Sequence, residues 1–225
     1  MDSADFRARP VSQMSSSPKS SRTTFETFTI DPSSLNNVRN KTVLITGGSS
    51  GIGLSTAALI ASLDPSNKIA IVDRDLPSSS LNIPSDRLFF GKCDITNWKA
   101  QRSAFEGAVT KFGRLDAVFV NAGIAEYKEQ FFTDNLDSDG KLAEPDRRVL
   151  DIDINAATDT VKLAIYYLRK NGEDGGAIVM TASLAGYLAS AGAPNYSAAK
   201  HGKCASITRV ERLTRRRHCG PYACS

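Results

Sequence analysis

The chain alternates short apolar, β-branched runs with longer stretches in which apolar residues recur every three or four positions. Thr42–Thr46 is the kind of run expected of a strand buried on both faces. Residues 51–63, with Ile52, Ala57, Leu59, Ile60 and Leu63 apolar, predict a helix. Ile69–Val72 predicts a second buried strand and Leu88–Phe90 a third. A helix over 97–111 leads to a fourth strand at Asp116–Val120. A long helix fits 145–170, a fifth strand fits Ala177–Thr181, and a further helix fits 194–213. Strands alternating with helices of this length join as βαβ units, so the pattern predicts an α/β fold with a doubly wound parallel sheet. Before residue 35 no such period exists. Ser15–Ser21 cannot bury enough apolar surface to offset the entropy of ordering, so residues 1–38 are expected to form a disordered, Ser-rich leader. Arg7, Arg9, Lys19 and Arg22 suggest a transit peptide, but Asp2 and Asp5 oppose that reading, and no stretch resembles a secretory signal.

Composition narrows the class. With 41% hydrophobic and 23% charged residues, the chain is neither disordered throughout, nor collagen-like, nor a coiled coil. No apolar run approaches the roughly 18 residues of a membrane-spanning helix, so no membrane partner and a cytoplasmic location are expected. The net charge of +4 is uneven: residues 201–225 carry six basic side chains against Glu211, which leaves the rest slightly acidic. A basic tail at 214–225 alone does not predict a nucleic-acid partner. Four cysteines are too few for a disulfide scaffold. His201, Cys204, His218, Cys219 and Cys224 match no zinc spacing, so no metal is expected. Cys93, at the end of the third strand, reads as a core residue.

The chemistry concentrates at two places. Thr46-Gly47-Gly48-Ser49-Ser50-Gly51-Ile52-Gly53 falls between the first strand and the first helix. Gly47 suits a turn that a Cβ would forbid, Gly51 allows close approach to a pyrophosphate, and Gly53 allows tight helix packing. The helix N-terminus then offers free N–H groups and a partial positive charge to phosphate. The second strand ends at Asp73, where a carboxylate can accept the adenosine ribose hydroxyls and repel a 2′-phosphate. That favours NAD over NADP, although the adjacent Arg74 softens the preference. Downstream, Tyr196 and Lys200 are four residues apart on one helix face, and Ser183 lies 13 residues before Tyr196. A free phenol ionises near pH 10, too high for a base at neutral pH, and a neighbouring ammonium favours the phenolate. Tyr196 can then exchange a proton with an alcohol or carbonyl while Ser183 holds the substrate oxygen.

Taken together these motifs resemble the short-chain dehydrogenases/reductases, in the branch of roughly 250 residues. The resemblance covers residues 41 to about 208. It rests on the Gly47–Gly53 turn, Asp94, Asn121-Ala122-Gly123, Asn155, Ser183 and the Tyr196–Lys200 motif. It implies a Rossmann domain over 39–213 with strand order 3-2-1-4-5, and a tetrad of Asn155, Ser183, Tyr196 and Lys200. It further implies that Asn155 holds a water linking Lys200 to solvent, that Asp94 contacts the adenine with Ile95 beside it, and that the Asn121–Gly123 turn sits beside the cofactor. With the glycine loop, these complete a cofactor set of Gly47, Ser49, Ser50, Gly51, Ile52, Gly53, Asp73, Arg74, Asp94, Ile95, Asn121, Ala122, Gly123, Tyr196 and Lys200. The leader and Asp73 look most like fungal members similar to NAD-dependent 15-hydroxyprostaglandin dehydrogenase. The implied activity is hydride transfer between NAD(P) and a secondary alcohol or ketone, and the implied assembly is a homodimer through the helices at 145–170 and 194–213.

Family members continue past this helix with a sixth strand, a substrate lid and a seventh strand. This sequence turns basic after Leu213. The expectation drawn from that change is a truncated or frame-shifted C-terminus, and with it a second reading: an inactive nucleotide-binding remnant of the same family. Phe131 and Phe132, in the segment 124–145, are candidates for a substrate wall or for a plain surface excursion.

Overall fold

The computed structural model describes residues 32–77, 81–190 and 192–214. The chain divides at Ser34, and the fold described below is the unit from Leu35 onward. The leader at 1–31 and the basic tail at 215–225 lie outside the described residues. A 3-10 segment at Pro32–Val38 precedes the first strand.

Five strands form one parallel sheet: β1 (Thr42–Thr46), β2 (Lys68–Asp73), β3 (Leu88–Lys92), β4 (Ala117–Val120) and β5 (Ala177–Met180). Their spatial order is β3-β2-β1-β4-β5, as the resemblance implied. β1 is central, pairing Leu44 with Ala70 on one side and with Val118 on the other. All five of its residues are buried, which explains its unbroken apolar run. Helices cover both faces. α1 (Gly51–Leu63) closes one face, where Val43, Ile45, Ala57, Ile69 and Ile71 form a core. α2 (Trp98–Phe112) and α4 (Ala157–Leu168) close the other, where the Phe105 ring stacks on Tyr167 at 5.7 Å between centroids. α2 starts where Asn97 accepts the Ala100 N–H at 3.0 Å, a side-chain cap for one of the helix's unpaired donors.

The long helix expected at 145–170 is not continuous. It consists of a single turn, α3 (Arg148–Leu150), a π-helical segment at Asp151–Ala156, then α4, then a 3-10 stretch at Arg169–Asp174. The widened turn has a physical counterpart. Asp153 is fully buried and turned inward, while Asp151 and Asn155 stay at the surface. The Ala156 carbonyl accepts from Gln101 Nε2 at 3.1 Å and from Thr160 Oγ1 at 2.9 Å, so backbone polarity at the irregularity is satisfied. α5 (Pro194–Thr214) packs on this segment, on α3 and on the 3-10 turn at Leu184–Gly186.

Candidate active site

The phosphate loop is tied down at its start and its end. Gly47 N–H donates to the Val72 carbonyl at 2.9 Å. Gly47 has φ of +66°, and a Cβ there would sit 2.8 Å from Ala122 Cα. A Cβ at Gly53 would fall on the Gly47 carbonyl oxygen. Both positions therefore exclude side chains, as the sequence reading required. Asn121 bridges the loop to β4: its Nδ2 donates to the Gly47 and Thr46 carbonyls at 3.1 and 3.3 Å, and its Oδ1 accepts from Thr181 Oγ1 at 2.9 Å. Thr46 Oγ1, at the end of β1, receives the N–H groups of Asn121 and Ala122 at 3.1 and 3.3 Å.

Asp73 stands at the end of β2, its Oδ2 accepting the Ser49 N–H at 3.0 Å and its Oδ1 the Arg74 N–H at 2.7 Å. Asp94 is held by the Thr96 N–H and hydroxyl at 2.9 and 2.8 Å, and these bonds keep its carboxyl below the usual range. Cys93 is buried, as expected; burial first and the Asp94 charge second push its thiol up to about 11.

These groups line one open cleft of about 1140 Å³ at the C-terminal ends of the strands. Gly47, Ser49, Ser50, Gly51 and Ile52 line it, as do Asp73, Arg74, Asp94, Ile95 and the Asn121–Gly123 turn. Asn155, Tyr196 and Lys200 lie on the same wall system. Two predicted residues lie outside the lining. Gly53 acts through packing. Ser183 caps the turn that follows β5, its Oγ accepting the Ala185 N–H at 3.2 Å.

The cleft fits a dinucleotide on its own chemistry. Ser49 Oγ is buried and has no hydrogen-bond partner, at the point where the α1 N-terminus opens into the cleft. A buried hydroxyl in that state suits an anionic oxygen, and the helix end supplies the matching partial charge.

At the other end of the cleft, Lys200 Nζ lies 5.2 Å from the Tyr196 ring centroid. The Tyr196 N–H donates to Glu126 Oε2 at 3.0 Å, which fixes the start of α5 against the loop after β4. Asn155 lines the cleft together with Lys200. Its side chain is exposed, and its Nδ2 donates to Asp151 at 3.1 Å. The group at Lys200 is Asp153, whose Oδ2 is 2.8 Å from Nζ in a pair that is 5% and 0% exposed. Asp153 Oδ1 also accepts the Ile124 N–H at 2.8 Å, and its carboxylate fills the space above Gly123. Behind Lys200 lies Lys203, 1% exposed, with Nζ 3.4 Å from the Ala122 carbonyl.

Sequence reasoning missed Asp153 and Lys203. The available signal was positional: Lys203 lies on the Tyr196–Lys200 face of α5, where an apolar side chain is the default for a buried stripe. The segment after β4 extends outward, with Tyr127, Phe131, Phe132, Leu136 and Leu142 exposed and a bridge between Leu136 and Leu142. Among the described residues, no group of acidic, histidine or cysteine side chains is arranged to hold a metal. No described helix is long and apolar enough to cross a membrane.

A family model for the short chain dehydrogenases matches residues 41–217. The chain is 39% identical over 175 residues to the short-chain dehydrogenase/reductase ascJ of Acremonium egyptiacum, a match that covers 77% of this chain and 57% of that protein. It is 35% identical over 172 residues to the cyclohexanol dehydrogenase of Acinetobacter sp. (strain SE19), covering 74% of this chain and 64% of that one. The chain spans just over half the length of the fungal relatives it matches. These relatives do not single out the narrower likeness to 15-hydroxyprostaglandin dehydrogenase. The fold superposes on the crystal structure of a short-chain type dehydrogenase/reductase from Mycobacterium marinum with a TM-score of 0.66, at 22% identity, over 84% of this chain and 74% of that one.

Proposed function

The chain belongs to the short-chain dehydrogenase family, and on that premise we propose that it is an oxidoreductase passing hydride between NAD and a secondary alcohol or ketone. One observation carries the reading: Tyr196 and Lys200 line the same cleft as the glycine loop. The bound nicotinamide would supply the hydride acceptor or donor. The chain's own groups do the rest. Tyr196 takes the proton of an alcohol, or gives one to a carbonyl oxygen, at its phenol oxygen. Lys200 supplies a cation one helical turn away that favours the phenolate. The α1 N-terminus and Ser49 hold the pyrophosphate. Asp73 accepts from the adenosine ribose and repels a 2′-phosphate, which supports NAD over NADP; Asp94 and Ile95 border the adenine. A homodimer is part of the proposal. It is supported by the outward groove of α4, where Val161, Ile165 and Tyr166 are flanked by Lys162, Arg169 and Lys170.

A second reading is a nucleotide-binding protein without turnover. It is favoured by Ser183, whose hydroxyl caps a turn outside the cleft lining. One experiment separates the two. The full chain is titrated with NADH and NADPH by thermal shift, then assayed by nicotinamide absorbance with secondary alcohols, cyclohexanol first because a relative bears that name. The proposal expects NADH to stabilise more than NADPH, and Tyr196→Phe to lower turnover by about 10³-fold with NADH binding retained. Binding without turnover, insensitive to Tyr196→Phe, supports the second reading.

A further inference from the structure

The first turn of α5 is capped from outside the helix. The Ala193 carbonyl receives the Ser197 N–H at 2.9 Å, so Ala193 opens the helix, Pro194 is its first residue and Tyr196 its third. Pro194 has no N–H to satisfy. The N–H of the third residue is ordinarily accepted by the side chain of the opening residue, and alanine has no acceptor. For Tyr196 the acceptor is Glu126 Oε2 at 3.0 Å, from the segment after β4, 70 positions earlier in the chain.

Glu126 is itself held. Its Oε1 accepts from Gln130 Nε2 at 3.0 Å. The same Nε2 donates to the Asp146 carbonyl at 3.2 Å, and Gln130 Oε1 accepts the Asp146 N–H. Gln130 thus closes the excursion at 126–146 at its base and aims the Glu126 carboxylate at α5. Two residues before Glu126, the Ile124 N–H is held by Asp153, the carboxylate that pairs with Lys200. The short run from Gly123 to Glu126 is therefore fastened to α5 twice, through Asp153 to the Lys200 side chain and through Glu126 to the Tyr196 backbone. That run leaves the Asn121–Gly123 turn, which lines the cleft with the glycine loop. A cap from a local serine or aspartate would satisfy the same N–H. It would not set where the start of α5 stands relative to that turn.

We propose that Glu126 is a positioning residue: it registers Tyr196 against the Asn121–Gly123 turn and ties the excursion at 126–146 to the helix that carries the proton chemistry. The inference deepens the Tyr196 reading above and rests on it for its effect on turnover. Losing the tether removes no group that would meet cofactor or substrate. It frees the start of α5 to shift, and a small misplacement of the reacting groups slows the chemical step more than it weakens binding.

A capping bond also contributes stability, so the test separates cap from tether. Four full-length proteins are compared: wild type, Glu126→Gln, Glu126→Ala, and Glu126→Ala with Ala193→Ser. The hydroxyl that Ala193→Ser adds gives α5 a cap of its own without rebuilding the bond to the β4 side. Backbone deuterium exchange is read by mass spectrometry at the first turn of α5 and at 126–146, beside the melting temperature and the nicotinamide assay. Glu126→Ala is expected to speed exchange at both places and to melt below wild type. Adding Ala193→Ser should slow the first turn again and raise the melting temperature, while 126–146 stays fast. In Glu126→Ala, kcat should fall by about 10- to 100-fold and stay low in the double variant, with KM and NADH affinity within about threefold of wild type. Glu126→Gln keeps an acceptor for the Tyr196 N–H and should hold kcat within about threefold. Recovery of kcat or of the 126–146 exchange on adding Ala193→Ser overturns the proposal, because Glu126 would then be a cap alone. So does a Glu126→Ala protein that matches wild type, or a Glu126→Gln protein that falls as far as Glu126→Ala. A wild type without turnover defeats the proposed function, and the exchange pattern at 126–146 then decides the tether by itself.

Discussion

β1 and β5 belong to one sheet and are made of similar residues, yet they live in different surroundings. β1 is paired on both edges and buried throughout. β5 pairs with β4 alone among the described residues, and Val179 on it is 53% exposed. The contrast extends to the loops they feed. The turn after β1 is stitched to β2, β4 and α1 by backbone and Asn121 hydrogen bonds. The segments after β4 and β5 expose Tyr127, Phe131, Phe132, Leu184, Tyr187 and Leu188. The half that fits a nucleotide is thus packed like a finished interior. The half that would meet a substrate presents apolar side chains to solvent. The lesson is that the two functions proposed for the cleft would rest on unequal foundations: binding on a densely packed centre, proton chemistry on an open margin.

Substitutions test that inequality, in order of expected size. Phe105→Ala at the central core should cost about 3–5 kcal/mol by denaturant unfolding, and a loss below about 1 kcal/mol would show that the centre is not tightly packed. The alkaline behaviour of Lys203 comes next. Its ammonium form is disfavoured in the folded state, since about 8 lies below the ordinary value of 10.5. Stability is therefore lower below pH 8 and recovers as pH rises toward 10.5, by roughly 3 kcal/mol if the whole depression is realised. Lys203→Met should melt above wild type at about pH 7, and the gap should narrow by about pH 10; a gap independent of pH contradicts this. Gly53→Ala should cost about 1–3 kcal/mol, because a Cβ meets fixed backbone, and should weaken NADH binding in a thermal-shift titration. Val179→Thr on β5 should stay within about 0.5 kcal/mol. A larger loss would show that the margin is as well packed as the centre.

Much of this is legible in the sequence. Parallel strands buried on both faces leave contiguous apolar runs, so β1 appeared at its observed bounds and β2, β4 and β5 within a residue. The glycine loop was legible because a close approach and a positive φ leave few alternatives to glycine. The break at Asp151–Ala156 was not. A π-helical turn changes which residue faces inward without changing local composition, so Asp-Ile-Asp-Ile-Asn reads as continuous helix. For the same reason nothing in the sequence marks Asp153 as the residue that turns inward to Lys200. Lys203 was hidden by a general expectation that lysines face water, and only its neighbours show why this one does not.

Ser49 adds one last consequence. A buried hydroxyl with nothing to donate to costs on the order of 1–3 kcal/mol. A phosphate oxygen arriving at the mouth of α1 would relieve that deficit, and a ligand that binds only the folded chain raises the folded population as its concentration rises. Limited proteolysis of the chain with and without NADH would then register that gain as slower cleavage.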